Sequence, residues 1–367
     1  MSMRVAHVAP TEFGDDGLFG GGERYPQELA AALARHVNCR LITFGSRNRT
    51  TVDDSGLEKV VLRRVMRLRG HIVHPVAAGL LAATREADIV HVHHMRSAPA
   101  RTMALACAIR RQPIVVTDHG LGGGGWAGLL PRLFDAFLVV SRHSAETLGA
   151  PDHKTSVVYG GVDANRFRPR RLPRRGLLFV GRITPHKGID RLIEALPHDL
   201  PLRIVGTTGH DPGLLGREYP ALLRRLARGK KVEFAGRVPD VLLPETYCAA
   251  EALVLPSVHE TCYGARVEIS ELLGLSAIEA MASETPVICS RVGGLPEVVA
   301  DGESGLVVDP GDVPGLRAAI EAVTGDAKRA AEMGRRARQR VLDHFTWDAC
   351  AQRCLAVYRS LLQGGAE

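Results

Sequence analysis

Three clusters in the 367-residue chain combine glycines, cations or carboxylates at spacings that can do chemistry. "GGGERY" (Gly20–Tyr25) puts glycines between an apolar run and an amphipathic one. A glycine-rich turn there lets backbone approach closely, and a helix N-terminus presents unpaired N–H groups to an anion. A tight turn without a ligand explains the same glycines, and GxxxxGK[ST] is absent, which excludes a P-loop kinase or ATPase. In "VGRITPHKGID", Arg182 and Lys187 stand five residues apart, a fork and a point charge that can converge on a diphosphate or simply form a solvated basic turn. "ELLGLSAIEAMA" carries Glu271 and Glu279 eight residues apart, with Gly274 between them and Ser276 expected as a helix N-cap. Two carboxylates near one helix start can accept hydrogen bonds from vicinal sugar hydroxyls; a capping box of Ser276 and Glu279 is the structural alternative.

Histidines raise a separate question. "HVHH" holds His91, His93 and His94; on a strand the first two share a face, but the sequence nominates no third ligand, so a metal site is not expected. No Asp-x-Asp occurs. His119, in "VTDHG", reads on its own as a core histidine at a strand end.

These clusters need elements to hold them. Apolar runs "RVAHVAP", "RLITF", "DIVHVHH", "PIVVTDH", "AFLVVS" and "TSVVYG" read as buried strands, with helices near 25–36, 77–86, 100–110 and 142–149. A second series, "GLLFVGR", "PLRIVG", "KVEFAG", "EALVLPS", "TPVICSR" and "SGLVVDP", follows the Arg- and Pro-rich "DANRFRPRRLPRRG". Apolar strands alternating with helices require parallel sheets covered on both faces. The expected fold is α/β: two Rossmann-like, doubly wound domains facing a cleft, residues 1–172 and 173–345. A helix over 346–367, which Thr346 would cap, is expected to return to the first domain.

Composition narrows the class. Charged residues make up 24% and apolar residues 45%, which excludes a disordered chain and accommodates two cores. Seven scattered cysteines with no CxxC read as free thiols in a reducing cytosol. The first residues show no signal h-region, and the longest nearly apolar stretch, Pro75–Ala83, is too short to span a bilayer, so a cytoplasmic location is expected. The net charge of +7 is concentrated: Lys59–Arg85 holds six basic residues and 164–189 holds eight, neither with an acid, and the remainder carries −7. With 5% aromatic residues and no aromatic interleaving, nucleic acid is not an expected partner.

In this order the motifs resemble glycosyltransferase family 4, retaining nucleotide-sugar enzymes of the GT-B fold. The resemblance runs through "GGGERY", "VTDHG", "GRITPHKGID", "FAGRVPD", the Glu-x7-Glu pair, "EAMASETPVICSRVGGLPEVV" and "FTWDACAQRCLAVY". It implies that Gly21 and Gly22 meet the donor diphosphate and that Arg182 and Lys187 clamp it. Glu279 would hold the ribose and Glu271 the donor sugar, aided by Gly274 and Leu275. Arg237 and Val238 would line the base pocket, and His119 would lie beside the reaction centre. Two departures stand out. Thirteen residues, 258–270, separate Ser257 from Glu271, which makes Glu260 a rival glutamate, and Glu284 replaces a common family glycine.

The resemblance further implies a UDP-sugar donor, retention of anomeric configuration, no metal or other cofactor, and electrostatic stabilisation of the departing diphosphate as the domains close. The chain is similar to N-acetylglucosaminyltransferases of aminocyclitol-antibiotic pathways, implying N-acetylglucosamine transfer to a small polar acceptor. The rivals are a membrane-peripheral enzyme that docks Lys59–Arg85 on anionic lipid, and a non-catalytic nucleotide-sugar binder.

Overall fold

A computed structural model describes residues 2–14, 18, 20–119, 128–149, 151–208 and 218–364. The chain divides into two compact units: residues 1–160 together with 347–367, and residues 161–346.

The first unit is built on an eight-stranded sheet. Its strands are β1 (Arg4–Val8), β2 (Asn38–Gly45), β3 (Arg49–Val52), β4 (Glu58–Arg63), β7 (Ile89–His93), β8 (Ile114–Thr117), β9 (Ala136–Val139) and β10 (Thr155–Val157). A separate two-stranded ribbon joins β5 (Met66–Arg67) to β6 (Pro75–Val76). The sheet order is β10-β9-β8-β7-β1-β2-β4-β3, parallel except for the edge strand β3. That edge was not anticipated, since "RTTV" is polar and solvated. Helices α1 (Gly21–Ala34), α2 (Leu80–Ala83), α3 (Ala98–Arg110) and α4 (Arg142–Leu148) connect the strands. Of the helix expected over 77–86, one turn forms. The α1 helix starts four residues earlier than expected, so Gly21 and Gly22 belong to its first turn and not to a preceding loop.

Strand alternation assigns the two faces. Ala6, Val8, Val90, Val92, Ile114 and Val116 pack with Met103, Ala104 and Cys107 of α3. Residues of the other parity, His7, His91, His93 and Thr117, point to the opposite face. There α1 and the C-terminal helix (Trp347–Gly364) cover them. That last helix buries Trp347, Cys350, Ala351, Cys354, Leu355 and Tyr358, an i, i+3, i+4, i+7 stripe facing the unit's interior.

The second unit carries a six-stranded, fully parallel sheet. Its strands are β11 (Leu177–Val180), β12 (Leu202–Val205), β13 (Val232–Gly236), β14 (Ala252–Leu255), β15 (Val287–Ser290) and β16 (Gly305–Val308). Their order, β13-β12-β11-β14-β15-β16, is the Rossmann order 3-2-1-4-5-6. Around the sheet lie α5 (Ile189–Ala195), α6 (Tyr219–Leu226), α7 (Leu243–Cys248), α8 (Leu275–Ala282), α9 (Leu295–Val298), α10 (Val313–Thr324) and α11 (Ala327–His344). Residues 161–172, read from sequence as the end of the first domain, are anchored here. The Val162 N–H donates to Phe345 O, Arg166 bonds Asp240 at 2.5 Å, and Arg338 donates to the carbonyls of Phe167 and Ala164. Among the described residues all seven cysteines are free thiols, and no helix is long and apolar enough to cross a membrane.

Candidate active site

Among the parallel strands of each sheet the order reverses once, between β1 and β7 in the first unit and between β11 and β14 in the second. Ligands of doubly wound sheets bind outside the carboxyl ends of the strands at such points. The loops that leave these four strands hold most of the residues singled out from sequence.

In the second unit, the loop after β11 carries Arg182 and Lys187. Gly188 ends it with φ +64°, and a Cβ there would overlap the Pro256 carbonyl, so only glycine lets this loop press against the one after β14. Across that contact Lys187 Nζ donates to Glu271 Oε1 at 2.6 Å and to Ser270 O at 3.2 Å. Ser257 Oγ donates to the same carboxylate oxygen at 3.0 Å. Both charged side chains are 12% exposed, which makes this pair a partly desolvated one that salt screens weakly. Glu260, the rival glutamate, forms an antiparallel backbone β-bridge with Arg266 within the 258–270 segment and is exposed. Glu271 is the one placed beside Lys187. Its carbonyl accepts from Gly294 N at 3.1 Å, and Gly293, at φ +58°, leaves no room for a Cβ against the same carbonyl. The "VGG" turn after β15 therefore holds the Glu271 loop in place. Arg182 is exposed and makes no side-chain bond among the described residues.

Gly274, at φ +93°, is the N-cap of α8, and Leu275 is its first residue. The cap expected at Ser276 does not form, because Ser276 is already inside the helix and Gly274 makes no side-chain cap. Glu279 consequently lies in the second turn, buried, where the Tyr247 hydroxyl donates to its Oε2 at 2.7 Å. Tyr247 was not singled out from sequence; only its place in an apolar helix hints at it. Arg237 and Val238 follow β13, two strands from β11, and the bonds of Glu271 do not reach them. The departure at residue 284 also has a structural meaning. Glu284 adopts φ +57° just past α8, a left-handed position that glycine occupies without strain.

In the first unit, Gly20 caps α1, and the first-turn N–H groups of Gly21 and Gly22 have no intrahelical acceptor. A Cβ on Gly22 would sit 3.6 Å from His94 Cε1 and 3.7 Å from His119 Cβ. The loops after β1, β7 and β8 thus meet at Gly22, His94 and His119. His94 holds a left-handed backbone, φ +61°, and its buried Nδ1 has no partner. Strain and an orphaned polar atom together mark functional positions.

Beneath this point lies a histidine cluster. His7 and His91 are register partners on β1 and β7. His7 Nδ1 lies 3.1 Å from His93 Nε2, and His93 Nδ1 lies 3.2 Å from His119 Nε2. Both nitrogens of His91 are engaged, Nδ1 with the Tyr358 hydroxyl at 2.6 Å and Nε2 with Thr117 Oγ1 at 2.8 Å. Burial pushes all these imidazoles toward the neutral form, His7 down to about 3 and His94 to about 4. His91, His93 and His119 are held well below the usual histidine range, by burial first and neighbouring imidazoles second. His7 supplies the third histidine that the sequence did not nominate: His7, His91 and His93 bring ligand atoms within 4.8 Å of one another. Those atoms are mostly committed to hydrogen bonds, so the trio as it stands is a hydrogen-bonded network.

Two doubly wound parallel-sheet units, each with a polar cluster at its switch point, define the GT-B class. Residues 19–166 match the family described as Glycosyltransferase Family 4, and residues 163–340 match Glycosyl transferases group 1. Glycogen synthase of Mycobacterium tuberculosis (strain H37Rv) is 32% identical over 308 residues, covering 76% of this chain and 70% of that protein. D-inositol 3-phosphate glycosyltransferase 1 of Catenulispora acidiphila is 32% identical over 331 residues, covering 78% and 76%. The crystal structure of Anabaena Alr3699/HepE with UDP-glucose shares the fold at a TM-score of 0.76 and 19% identity, covering 98% of this chain and all of that one. The chain belongs to glycosyltransferase family 4 and is a glycosyltransferase of GT-B type.

Proposed function

We propose that the protein transfers a hexose, N-acetylglucosamine foremost, from a UDP-sugar to a hydroxyl of a small polar cyclitol. Transfer retains anomeric configuration and uses no metal. The observation that carries this reading is the cluster of Lys187, Glu271 and Ser257 at the β11/β14 switch point, with the unengaged cation Arg182 on the same loop. In the reaction the anomeric carbon's bond to the diphosphate breaks and a bond to the acceptor oxygen forms. The acceptor's proton leaves with the diphosphate or to solvent. Arg182 and Lys187 offset the charge that grows on the leaving group, and Gly21 and Gly22 add first-turn N–H groups. Glu271 with Leu275 and Gly274 meets the sugar, Glu279 the ribose, Arg237 and Val238 the base, and His119 the reaction centre. A cyclitol acceptor is supported by the Catenulispora relative, whose name specifies D-inositol 3-phosphate.

The test is UDP release over a panel of sugar nucleotides, with and without aminocyclitols and inositol phosphates, in EDTA. Release from UDP-N-acetylglucosamine only when a cyclitol is present, giving a product of retained configuration, is expected. If Arg182→Ala and Lys187→Ala each leave turnover within about threefold, the clamp assignment fails, since a charge-assisted bond is worth about 1.5–3 kcal/mol. Binding of UDP-sugar with no release across the panel would mark a non-catalytic binder.

One observation favours a lipid acceptor as second reading. The β5–β6 ribbon exposes Val65, Met66, Leu68 and Val76 beside Arg63, Arg67 and Arg69. Flotation with anionic liposomes, lost at high salt, would support it.

A further inference from the structure

His93 stands between two histidines at nearly equal distances, 3.1 Å from His7 and 3.2 Å from His119. The rings follow one another edge to edge with near-parallel planes, at interplanar angles of 23° and 17°. Each neutral imidazole has one N–H and one lone pair. Burial holds all three rings neutral at pH 7. Two proton arrangements are open to such a series, one pointing toward His119 and one away from it.

The far end makes the choice. His7 Nε2 is buried with no partner. An orphaned buried N–H is a rarer defect than an unused lone pair, so Nε2 is left bare and the proton sits on Nδ1. His7 Nδ1–H then donates to His93 Nε2, which places the His93 proton on Nδ1, and that N–H donates to His119 Nε2. The His119 proton is left on Nδ1. His91 does not compete, because Tyr358 and Thr117 occupy both its nitrogens.

We infer that His93, backed by His7, is a positioning residue that locks His119 as the Nδ1–H tautomer. His119 thereby offers a hydrogen-bond donor, and no lone pair, to what binds beside Gly22. The ligand chemistry it selects is an oxygen acceptor, a sugar hydroxyl or a phosphoryl oxygen. This inference rests on the reading of His119 as a reaction-centre residue.

The direct test is long-range 15N–1H correlation on the full chain labelled with 15N-histidine, with His119 assigned through His119→Asn. Protonation at Nδ1 and a bare Nε2 are expected in the unsubstituted protein. A proton on Nε2 overturns the inference, and this arm needs no variant of the relay to fold. His93→Asn keeps an N–H near the Nδ1 position and should preserve the tautomer, whereas His93→Leu should release His119 to Nε2–H. In the UDP-release assay with UDP-N-acetylglucosamine, His93→Leu should lower kcat about tenfold with KM within about twofold, and His93→Asn should recover most of it. Equal kcat in the Leu and Asn variants overturns the positioning role. Full turnover by His119→Ala overturns the catalytic reading beneath it and leaves the tautomer standing, so the two failures are distinct.

Discussion

Replacing Gly22 with alanine separates folding from ligand approach, because the two make opposite demands at that position. The left-handed strain that fixes Gly188 and Gly293 is absent at Gly22, and the new methyl would make ordinary contacts at 3.6–3.7 Å with His94 and His119. Inside a helix the change favours folding by up to about 1 kcal/mol, and less in the first turn. A stabilisation of about 0.5 kcal/mol would raise Tm by about 1–2 °C in a unit of this size. The methyl nevertheless fills the space in front of the first-turn N–H groups, between the two histidines. Losing one or two charge-assisted hydrogen bonds there removes about 1.5–3 kcal/mol each. At 1.4 kcal/mol per factor of ten, turnover should fall at least about tenfold, and up to about ten-thousandfold if two strong bonds are lost. Differential scanning fluorimetry and UDP release on the same preparation give both numbers. Activity within twofold of the parent, or a Tm lowered by more than about 2 °C, would refute the argument that the glycine is kept for a ligand.

The buried imidazoles make the first unit acid-sensitive. They are neutral when folded and take up protons when unfolded, so their contribution is intact above about pH 6.5. It falls by about 1.4 kcal/mol per pH unit per histidine toward the folded values of about 4 for His94 and about 3 for His7. Tyr25, Thr117, Cys350, Cys354 and Tyr358 face the cluster and carry no cation to alter that sign. Hydrogen exchange at pH 5, corrected for intrinsic rates, should show β1 and β7 losing protection before β11 and β14; simultaneous loss contradicts this. Glu284→Gly removes a left-handed strain of about 1–2 kcal/mol against a glycine entropy term of about 0.5–1, so chemical denaturation should show a net gain of roughly 0.5–1 kcal/mol. Tyr247→Phe takes the hydroxyl donor from buried Glu279, and should cost about 1–3 kcal/mol in urea unfolding while raising the KM for the donor nucleotide.

The strand core was legible because each buried parallel strand must be apolar over its whole length, and runs such as "LLFV", "ALVL" and "VICS" have no other stable use. The polar edge strand β3 left no such trace, since its "RTTV" is solvated. The offset of Glu271 to Gly274 favours it over Glu260 in the sequence, yet its ion pair with Lys187 joins residues 84 apart and depends on the β11/β14 adjacency. Ser276 was misjudged as a cap because local preference favours serine there, while Gly274 takes the left-handed turn that Leu295 packs against.

By itself the sequence determined the element types, the two sheet series, and the residue classes suited to a nucleotide sugar, because periodicity and local chemistry are properties of neighbours along the chain. Tertiary structure alone decided the histidine network. His7 lies 84 residues from His91 in sequence and Tyr358 lies 267, and they meet because β1 pairs with β7 at the switch point while the C-terminal helix covers that face. Which histidine nitrogen holds the proton next to Gly22 follows from that meeting, since a tautomer is set by partners in space.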